Sequence, residues 1–346
     1  AVLTALAAVP GCRPAEPGEF TRRAFLNGKL DLGAVEGLAD FIDAQTEAQR
    51  RQALRQLDGA LGRWVDGLRE DLLAALALAE GAIDFAEEDD LVVTLESELD
   101  RLVDGVSSRI AAELGREERG LRLRDGLAVA ITGPPNAGKS TLLNAIAGRE
   151  VAIVSAQAGT TRDAVTVDLE LGDYPVQLID TAGLRETDDA IEREGMARAR
   201  ARAASADLVL WLHPADRAAL PDVETGGAIW TVATKADLEG GGQGGDHRVS
   251  AVTGEGLDAL VAALGRFAAE ALVDGESAVI TRLRHRTALE AAQVHLGRVQ
   301  AAGQGRDFEL VAEDLRGAVA ALSALVGQIG TEEVLGAIFA RFCIGK

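Results

Sequence analysis

Residues 127–148 read as three consecutive pieces. A short apolar run, LAVAIT (127–132), leads into a glycine-bounded turn, GPPNAGKS (133–140), and then a helix-forming run, TLLNAIAG (141–148). The turn fits G-x-x-x-x-G-K-S, and a strand before it and a helix after it are the context in which that pattern folds as a phosphate cradle. Its glycines let backbone N–H groups wrap phosphate oxygens, and the following helix N-terminus adds positive potential. Lys139 is expected to reach the β- and γ-phosphates, and Ser140 to offer a hydroxyl to Mg²⁺. A strand–loop–helix unit of this kind needs parallel neighbours, so this stretch commits the chain to an α/β domain.

The neighbours are visible. Short β-type runs follow at VTVDLEL (165–171), VQLI (176–179), LVLWL (208–212) and IWTVAT (229–234), alternating with helical or Gly-containing segments. This alternation predicts a mostly parallel sheet. GGGQGG (240–245) reads as an exposed connection. Residues 32–118 hold no proline and show helical spacing, as in Leu54, Leu57, Leu61 and Val65, or Leu68, Leu72, Leu73 and Leu76. The acidic run Glu87–Asp90 reads as a solvated loop between two long helices. After about residue 272 the pattern is helical again. An α/β unit thus sits between two helical stretches, which are expected to pack as one discontinuous domain.

Composition narrows the function classes. With 35 Lys+Arg against 55 Asp+Glu the net charge is −20, which argues against coating nucleic acid or an anionic membrane by bulk electrostatics. Two cysteines, Cys12 and Cys343, exclude a disulfide scaffold and a four-Cys zinc site. No apolar run approaches the ~18 residues of a membrane helix. A cytoplasmic enzyme or switch is the expectation.

DTAG (180–183) follows the strand VQLI, where Asp180 can hold a Mg²⁺ shell and Gly183 can present its N–H to a γ-phosphate. Between the two motifs lies GTTRD (159–163), an ordinary polar loop when taken alone, but one whose Thr can complete the metal shell. TKAD (234–237) follows IWTVA; Asp237 can accept the guanine N1–H and 2-amino hydrogens, and Lys235 can lie along the base. VSAVTGEG (249–256) can place a backbone N–H on the guanine oxygen. In this order the elements resemble the five signatures of the Ras-like GTPases. The expected nucleotide-binding set is Asn136, Ala137, Gly138, Lys139, Ser140, Thr141, Asp180, Thr181, Ala182, Gly183, Thr234, Lys235, Asp237, Ser250 and Ala251. Thr234 stands where that resemblance has Asn; it keeps a hydroxyl and loses an amide donor. The water-orienting Gln of Ras-type enzymes is replaced by Leu184, so the attacking water must be positioned by another group. Arg162, Arg185 and Arg193 are near enough to serve as arginine fingers, but read first as exposed charges.

GPPNAGKST, AGTTRD, DTAGLRET and the final FCIGK occur together in the bacterial tRNA-modification GTPase family MnmE, also called TrmE, which this chain resembles over nearly its whole length. The stretch 17–49 resembles the segment that joins this family's folate-binding domain to its helical domain. The resemblance implies an α/β P-loop GTPase domain with a mostly parallel sheet, inserted in a discontinuous α-helical domain. The expected division is 1–31 as a remnant of the N-terminal folate-binding domain and linker, 32–124 and 272–346 as the two parts of the helical domain, and 125–271 as the GTPase domain. The chain starts at Ala1 with Met196 as its one methionine, in keeping with the expectation that most of the folate-binding domain lies outside it.

The resemblance also implies roles. Lys139 and Glu192 would be catalytic. Glu192 would orient the attacking water, although by itself it reads as a helix-surface carboxylate. Ser140 and Thr161 would hold Mg²⁺. Asn136, with Ser155, Gln157 and Thr160 of the covering loop, would hold K⁺ in place of an arginine finger. Lys29, Cys343 and Lys346 would lie near a folate and tRNA site; for Cys343 a buried structural role is the competing reading, and Cys12 reads as structural. Arg282, Arg284 and Arg286, like Arg198, Arg200 and Arg202, read as solvated faces, with a tRNA backbone contact as the alternative. The implied cofactors are Mg²⁺ and K⁺, with GTP as substrate and a reduced folate, 5-formyl- or methylene-tetrahydrofolate, in the full-length protein. The implied partners are a second copy of the chain, tRNA, and a flavin-dependent MnmG-family protein in a heterotetramer or larger complex, with no membrane. The reading is a K⁺-activated, dimeric GTPase of tRNA wobble-uridine modification. Its rival is a GTP-dependent switch or ribosome-assembly factor with no part in RNA chemistry, which the GTPase signatures alone do not separate from it.

Overall fold

The computed structural model describes residues 5, 8–87, 89–134, 136–149, 151, 166–180, 206–214, 225–238, 245–303 and 305–327. In chain order the helices α1 (Glu19–Leu26), α2 (Leu32–Asp43), α3 (Glu47–Leu57), α4 (Ala60–Asp84), α5 (Asp89–Leu114) and α6 (Glu117–Asp125) come first. Strand β1 (Leu127–Thr132), α7 (Lys139–Ala147), β2 (Thr166–Leu171), β3 (Tyr174–Asp180), β4 (Leu208–Pro214), β5 (Ala228–Thr234) and β6 (His247–Arg248) follow. Helices α8 (Leu257–Leu272), α9 (Leu283–Ala301) and α10 (Phe308–Leu325) complete the set. The chain forms two compact units. One comprises residues 1–44, 50–121 and 277–346, and the other 45–49 and 122–276. The α/β unit is thus an insertion in a discontinuous helical unit. Residues 45–49, expected in the helical part, group with the α/β unit, where Ala48 N–H donates to Asp173 O at 3.1 Å and Gln49 Nε2 to Arg124 O at 2.9 Å.

The helical unit is built on the long pair α4 and α5 with α9 and α10. On α4 the residues Leu61, Val65, Leu68, Leu72, Ala75, Ala79 and Ala82 are buried, spaced three or four apart along one stripe. Leu73 is exposed because it falls off the stripe, and Leu54, which apolar spacing alone joins to Leu61 and Val65, is exposed on α3, parted from α4 by the turn at Gly59. Facing residues Leu99, Val103, Val106 and Ile110 of α5 share one core with Leu289, Leu296, Leu315 and Leu322 of α9 and α10. The acidic run does not form the break throughout. The break lies at Phe85–Glu87, and Asp89 and Asp90 open α5, a position where acidic residues are favoured by the helix dipole.

The expectation of solvated faces at 282–286 fails for two of the three arginines. Arg284 donates to both Glu36 carboxylate oxygens (2.6 and 2.5 Å), and Arg282 donates to Asp40 Oδ1 at 2.6 Å. Glu36 and His285 are buried, and His285 Nε2 lies 3.0 Å from Glu36 Oε2. Sequence distance hid this pairing, since Glu36 and Arg284 are 248 residues apart. Arg286 is exposed and pairs with Glu290 at 2.7 Å.

In the α/β unit the sheet order is β2-β3-β1-β4-β5-β6, parallel except for β2, which runs antiparallel to β3. Leu127 pairs with Val176, Val129 with Leu208, and Leu208 with Ala228. Apolar strand residues pack with Leu142, Leu143 and Ile146 of α7 and with Leu257, Leu260 and Leu264 of α8. β1 lies between β3 and β4, so the connections leaving β1 and β3 go to opposite sides. That switch point, at the carboxyl ends of the strands, is where open α/β sheets bind ligands.

Candidate functional site

The loop after β1 crosses this switch point. At Gly133 a Cβ would collide with the Leu212 carbonyl oxygen of β4, so only glycine lets the loop leave β1 so close to its neighbour. Asn136 takes a left-handed conformation (φ 62°) and is exposed at the loop's crest. Gly138 (φ 93°) caps α7 and hands over to Lys139, the first helical residue. Lys139 Nζ donates to the carbonyls of Gly133 (2.8 Å) and Pro134 (3.0 Å). Burial lowers its pKa, and the Asp180 charge opposes that shift.

Ser140, in the first turn of α7, donates to Asp180 Oδ2 at 2.7 Å, and Asp180 is buried at the end of β3. One hydroxyl and one carboxylate side by side at a phosphate loop are hard oxygen donors of the type Mg²⁺ selects. The donor set therefore fits that ion.

A second cluster forms at the ends of β5 and β6. Ser250 Oγ donates to Asp237 Oδ1 at 2.6 Å and accepts from Thr253 N at 3.1 Å. The Ser250 hydrogen bond lowers the Asp237 pKa, which keeps the carboxylate ionised and acceptor-only. Lys235 has φ 58°, and Arg248 Nη2 donates to the Ala236 carbonyl at 2.8 Å, bracing the turn. Thr234 is buried and donates to Ala137 O of the phosphate loop at 2.7 Å, with His213 O further off at 3.3 Å. Between the two clusters lies a cavity of about 310 Å³, reached by Gly138, Thr141, Thr234, Lys235, Asp237 and Ala251.

Of the expected residues, Asn136, Ala137, Gly138, Lys139, Ser140, Thr141, Asp180, Thr234, Lys235, Asp237, Ser250 and Ala251 fall in this one unit around the switch point. Lys29 is exposed just after α1, in the other unit. Ser155, Gln157, Thr160, Thr161, Thr181, Ala182, Gly183, Glu192, Cys343 and Lys346 lie outside the described residues, as do Arg162, Arg185, Arg193, Arg198, Arg200 and Arg202. Sequence reasoning passed over Leu238, Val249 and Val252, which also line the cavity. Their signal was apolar character beside TKAD and VSAV. No group of three or more His, Cys, Asp or Glu side chains placed to hold a metal ion occurs among the described residues, and no helix among them is long and apolar enough to cross a membrane.

Comparison with known proteins places this geometry. The family described as MnmE helical domain matches residues 32–343. Three curated relatives are each described as tRNA modification GTPase MnmE. The protein of Methylorubrum populi is 56% identical over 351 residues, covering 100% of this chain and 78% of that protein. That of Rhodopseudomonas palustris is 51% identical over 352 residues, with 100% and 79% covered. That of Methylobacterium sp. is 55% identical over 355 residues, again with 100% and 79% covered. Among solved structures, a point variant of Era from Aquifex aeolicus is 25% identical with a TM-score of 0.33, covering 49% of this chain and 66% of its own, a likeness too loose to add to the argument. Matched along its whole length by these relatives and over most of it by the helical-domain family, the chain belongs to the MnmE family of GTPases.

Proposed function

We propose that this chain is the GTP-hydrolysing subunit of a tRNA wobble-uridine modification system of the 5-carboxymethylaminomethyl type. The observation that carries the reading is the convergence of Ser140, Asp180, Thr234, Asp237 and Ser250 on one switch point, in a chain of the MnmE family. Asp237, held ionised by Ser250, accepts two hydrogens from guanine, a pattern that adenine does not offer. Lys139 exchanges its bonds to Gly133 and Pro134 for phosphate oxygens. Ser140 and Asp180 would hold Mg²⁺, which would supply positive charge to offset that of the phosphates.

In this reading Asn136, with Ser155, Gln157 and Thr160, would hold K⁺, Thr161 would join Ser140 in holding Mg²⁺, and Glu192 would orient the attacking water. Two copies of the α/β unit pair when the 155–161 loop closes. A flavin-dependent MnmG-family partner and a reduced folate supply the redox and one-carbon chemistry on tRNA in the cytoplasm, with Lys29, Cys343 and Lys346 near that site. The family resemblance supports these assignments, together with the exposed, left-handed Asn136 at the crest of the phosphate loop.

The test is to delete the gene and analyse wobble uridines by mass spectrometry, while assaying phosphate release from GTP by the purified chain. Loss of the modified base together with GTP hydrolysis is expected. Intact wobble uridines alongside normal hydrolysis would favour the switch or assembly-factor reading.

A further inference from the structure

Helices α4 and α5 outrun the bundle they build. Ala79 is the last residue of α4 in the shared core, and Leu99 is the first of α5. Between them α4 runs on to Asp84 and α5 starts at Asp89. Of the side chains described in that interval, Ala82 alone is buried. The two helices still touch there, since a Cβ on Gly81 would lie 3.6 Å from Leu95 Cδ1. The stretch is thus the tip of a helical hairpin that projects past the core.

That tip is apolar. Ile83, Phe85, Leu91 and Val93 are exposed, Phe85 by 49% and Val93 by 63%. One exposed apolar side chain is ordinary; four of them at one hairpin tip, rimmed by charge, mark an interaction site. The rim carries a single sign, for residues 80–100 hold nine Asp and Glu and no Lys or Arg. Glu80 pairs with Arg316 (2.8 Å), Glu98 with Arg101 (2.5 Å) and Asp100 with Arg306 (2.7 Å), all at the base of the hairpin. Asp84, Glu87 and Asp90, nearer its end, are exposed.

The charge selects the occupant. An anionic hairpin repels nucleic-acid phosphates, anionic lipid, and a second copy of a chain whose net charge is −20. Its complement is a protein surface with an apolar pocket set among Lys and Arg. A protein that handles tRNA displays such cations, because Lys and Arg are what neutralise phosphates. We propose that the α4–α5 tip docks the tRNA-handling partner protein of the reading above, on which this inference rests. Phe85, Leu91 and Val93 enter an apolar pocket of that partner, and Asp84, Glu87 and Asp90 face its cationic rim. The apolar anchors then set the lifetime of the complex, and the rim charges set the rate of encounter.

The experiment measures association and dissociation rates of the purified full chain with the purified flavin-dependent MnmG-family protein. Phe85→Ala with Val93→Ala should weaken binding by about tenfold or more, chiefly through faster dissociation. Asp84→Lys with Glu87→Lys should slow association by about tenfold at low salt, and raising the salt should close most of that gap. Both variants should keep the parent's GTP hydrolysis, measured without the partner, and its melting temperature. Parent-like binding in both variants would overturn the proposal. A lower melting temperature in the apolar variant, with parent-like binding in the charge variant, would show the tip covered within the chain itself and overturn it too. So would a variant that changes the chain's own sedimentation, which would assign the tip to a second copy. A parent chain that binds no such partner would overturn the proposed function, and the docking surface with it.

Discussion

Ser140 Oγ donates a 2.7 Å hydrogen bond to Asp180 Oδ2, joining the first turn of α7 to the end of β3. Forty residues separate the two in sequence, yet the parallel pairing of β1 with β3, Ile131 opposite Asp180, brings them together. The phosphate loop and the DTAG strand thus share one oxygen cluster.

This pair sets the first prediction. Asp180→Asn removes the anionic oxygen and leaves Ser140 a poorer partner. Bonds to charged groups contribute about 1.5–3 kcal/mol, so the Mg²⁺ midpoint for GTP hydrolysis should rise by roughly tenfold or more. Ser140→Ala should shift it in the same direction. Titrating hydrolysis with Mg²⁺ checks both, and an unshifted midpoint in the Asn variant would dissociate Asp180 from the metal.

In the proposed function Asp237 chooses the base. Asp237→Asn replaces two acceptor oxygens with one acceptor and one donor, which matches xanthine and not guanine. A polar mismatch in the site costs about 1–3 kcal/mol, so GTP should bind roughly 10- to 100-fold more weakly while xanthosine triphosphate gains. Competition binding between the two nucleotides reads the exchange. Unchanged GTP affinity would mean that TKAD is not the base reader.

What the sequence made legible and what it hid divide along range. GPPNAGKS, DTAG and TKAD are short covalent spacings whose chemistry travels with the segment, so their residues are nominated from order alone. The discontinuous helical unit is legible because apolar periodicity stops at Leu127 and resumes after residue 272. Contacts between distant segments are not legible. Nothing in TRLRHR announces that Arg284 meets Glu36, because helical spacing tells which residues share a face and not what lies opposite. Thr234 is visible as a departure from pattern, but its acceptor, Ala137 O, emerges only from the pairing of β4 with β5 beside the loop.

The cation prediction concerns Asn136. If its side-chain oxygen and the 155–161 loop hold K⁺, hydrolysis should be faster in K⁺ than in Na⁺ at equal ionic strength. K⁺ should also promote pairing of α/β units with GDP and aluminium fluoride. Asn136→Ala should remove both effects and spare nucleotide binding. Rates measured in the two salts, with sedimentation for the pairing, decide it; equal rates in the parent would remove K⁺ from the mechanism.

Glu192 is assigned a bond made mainly in the transition state, so Glu192→Ala should bind GTP nearly as well as the parent and lose at least tenfold in kcat. Single-turnover hydrolysis separates the two parameters. A normal rate would return Glu192 to the helix surface.

The last prediction concerns acid stability of the helical unit. Thr281 N–H donates to His285 Nδ1 at 3.3 Å, so the ring proton sits on Nε2, which donates to Glu36 Oε2 at 3.0 Å. Burial opposes ionisation of Glu36, but the hydrogen bonds from Arg284 and His285 outweigh it and hold its carboxyl down at about 2. Burial also lowers the His285 pKa, outweighing the pull of Glu36 toward the charged form. For Glu36 the folded pKa lies below the unfolded 4.5. Its contribution is therefore complete above pH 4.5 and is lost as pH falls toward 2. The pKa difference corresponds to about 3 kcal/mol. His285 acts in the same direction from higher pH: the unfolded ring binds a proton below about 6.5 while the folded ring resists it. Stability should fall from pH 6.5 downward and steepen below 4.5. Glu36→Gln should cost about 1.5–3 kcal/mol at pH 7, because it leaves the part-buried Arg284 facing a neutral partner. It should also flatten the limb between pH 4.5 and 2. Urea unfolding followed by far-UV circular dichroism at several pH values measures both. A Gln variant with the parent's acid limb would show that another carboxylate governs it.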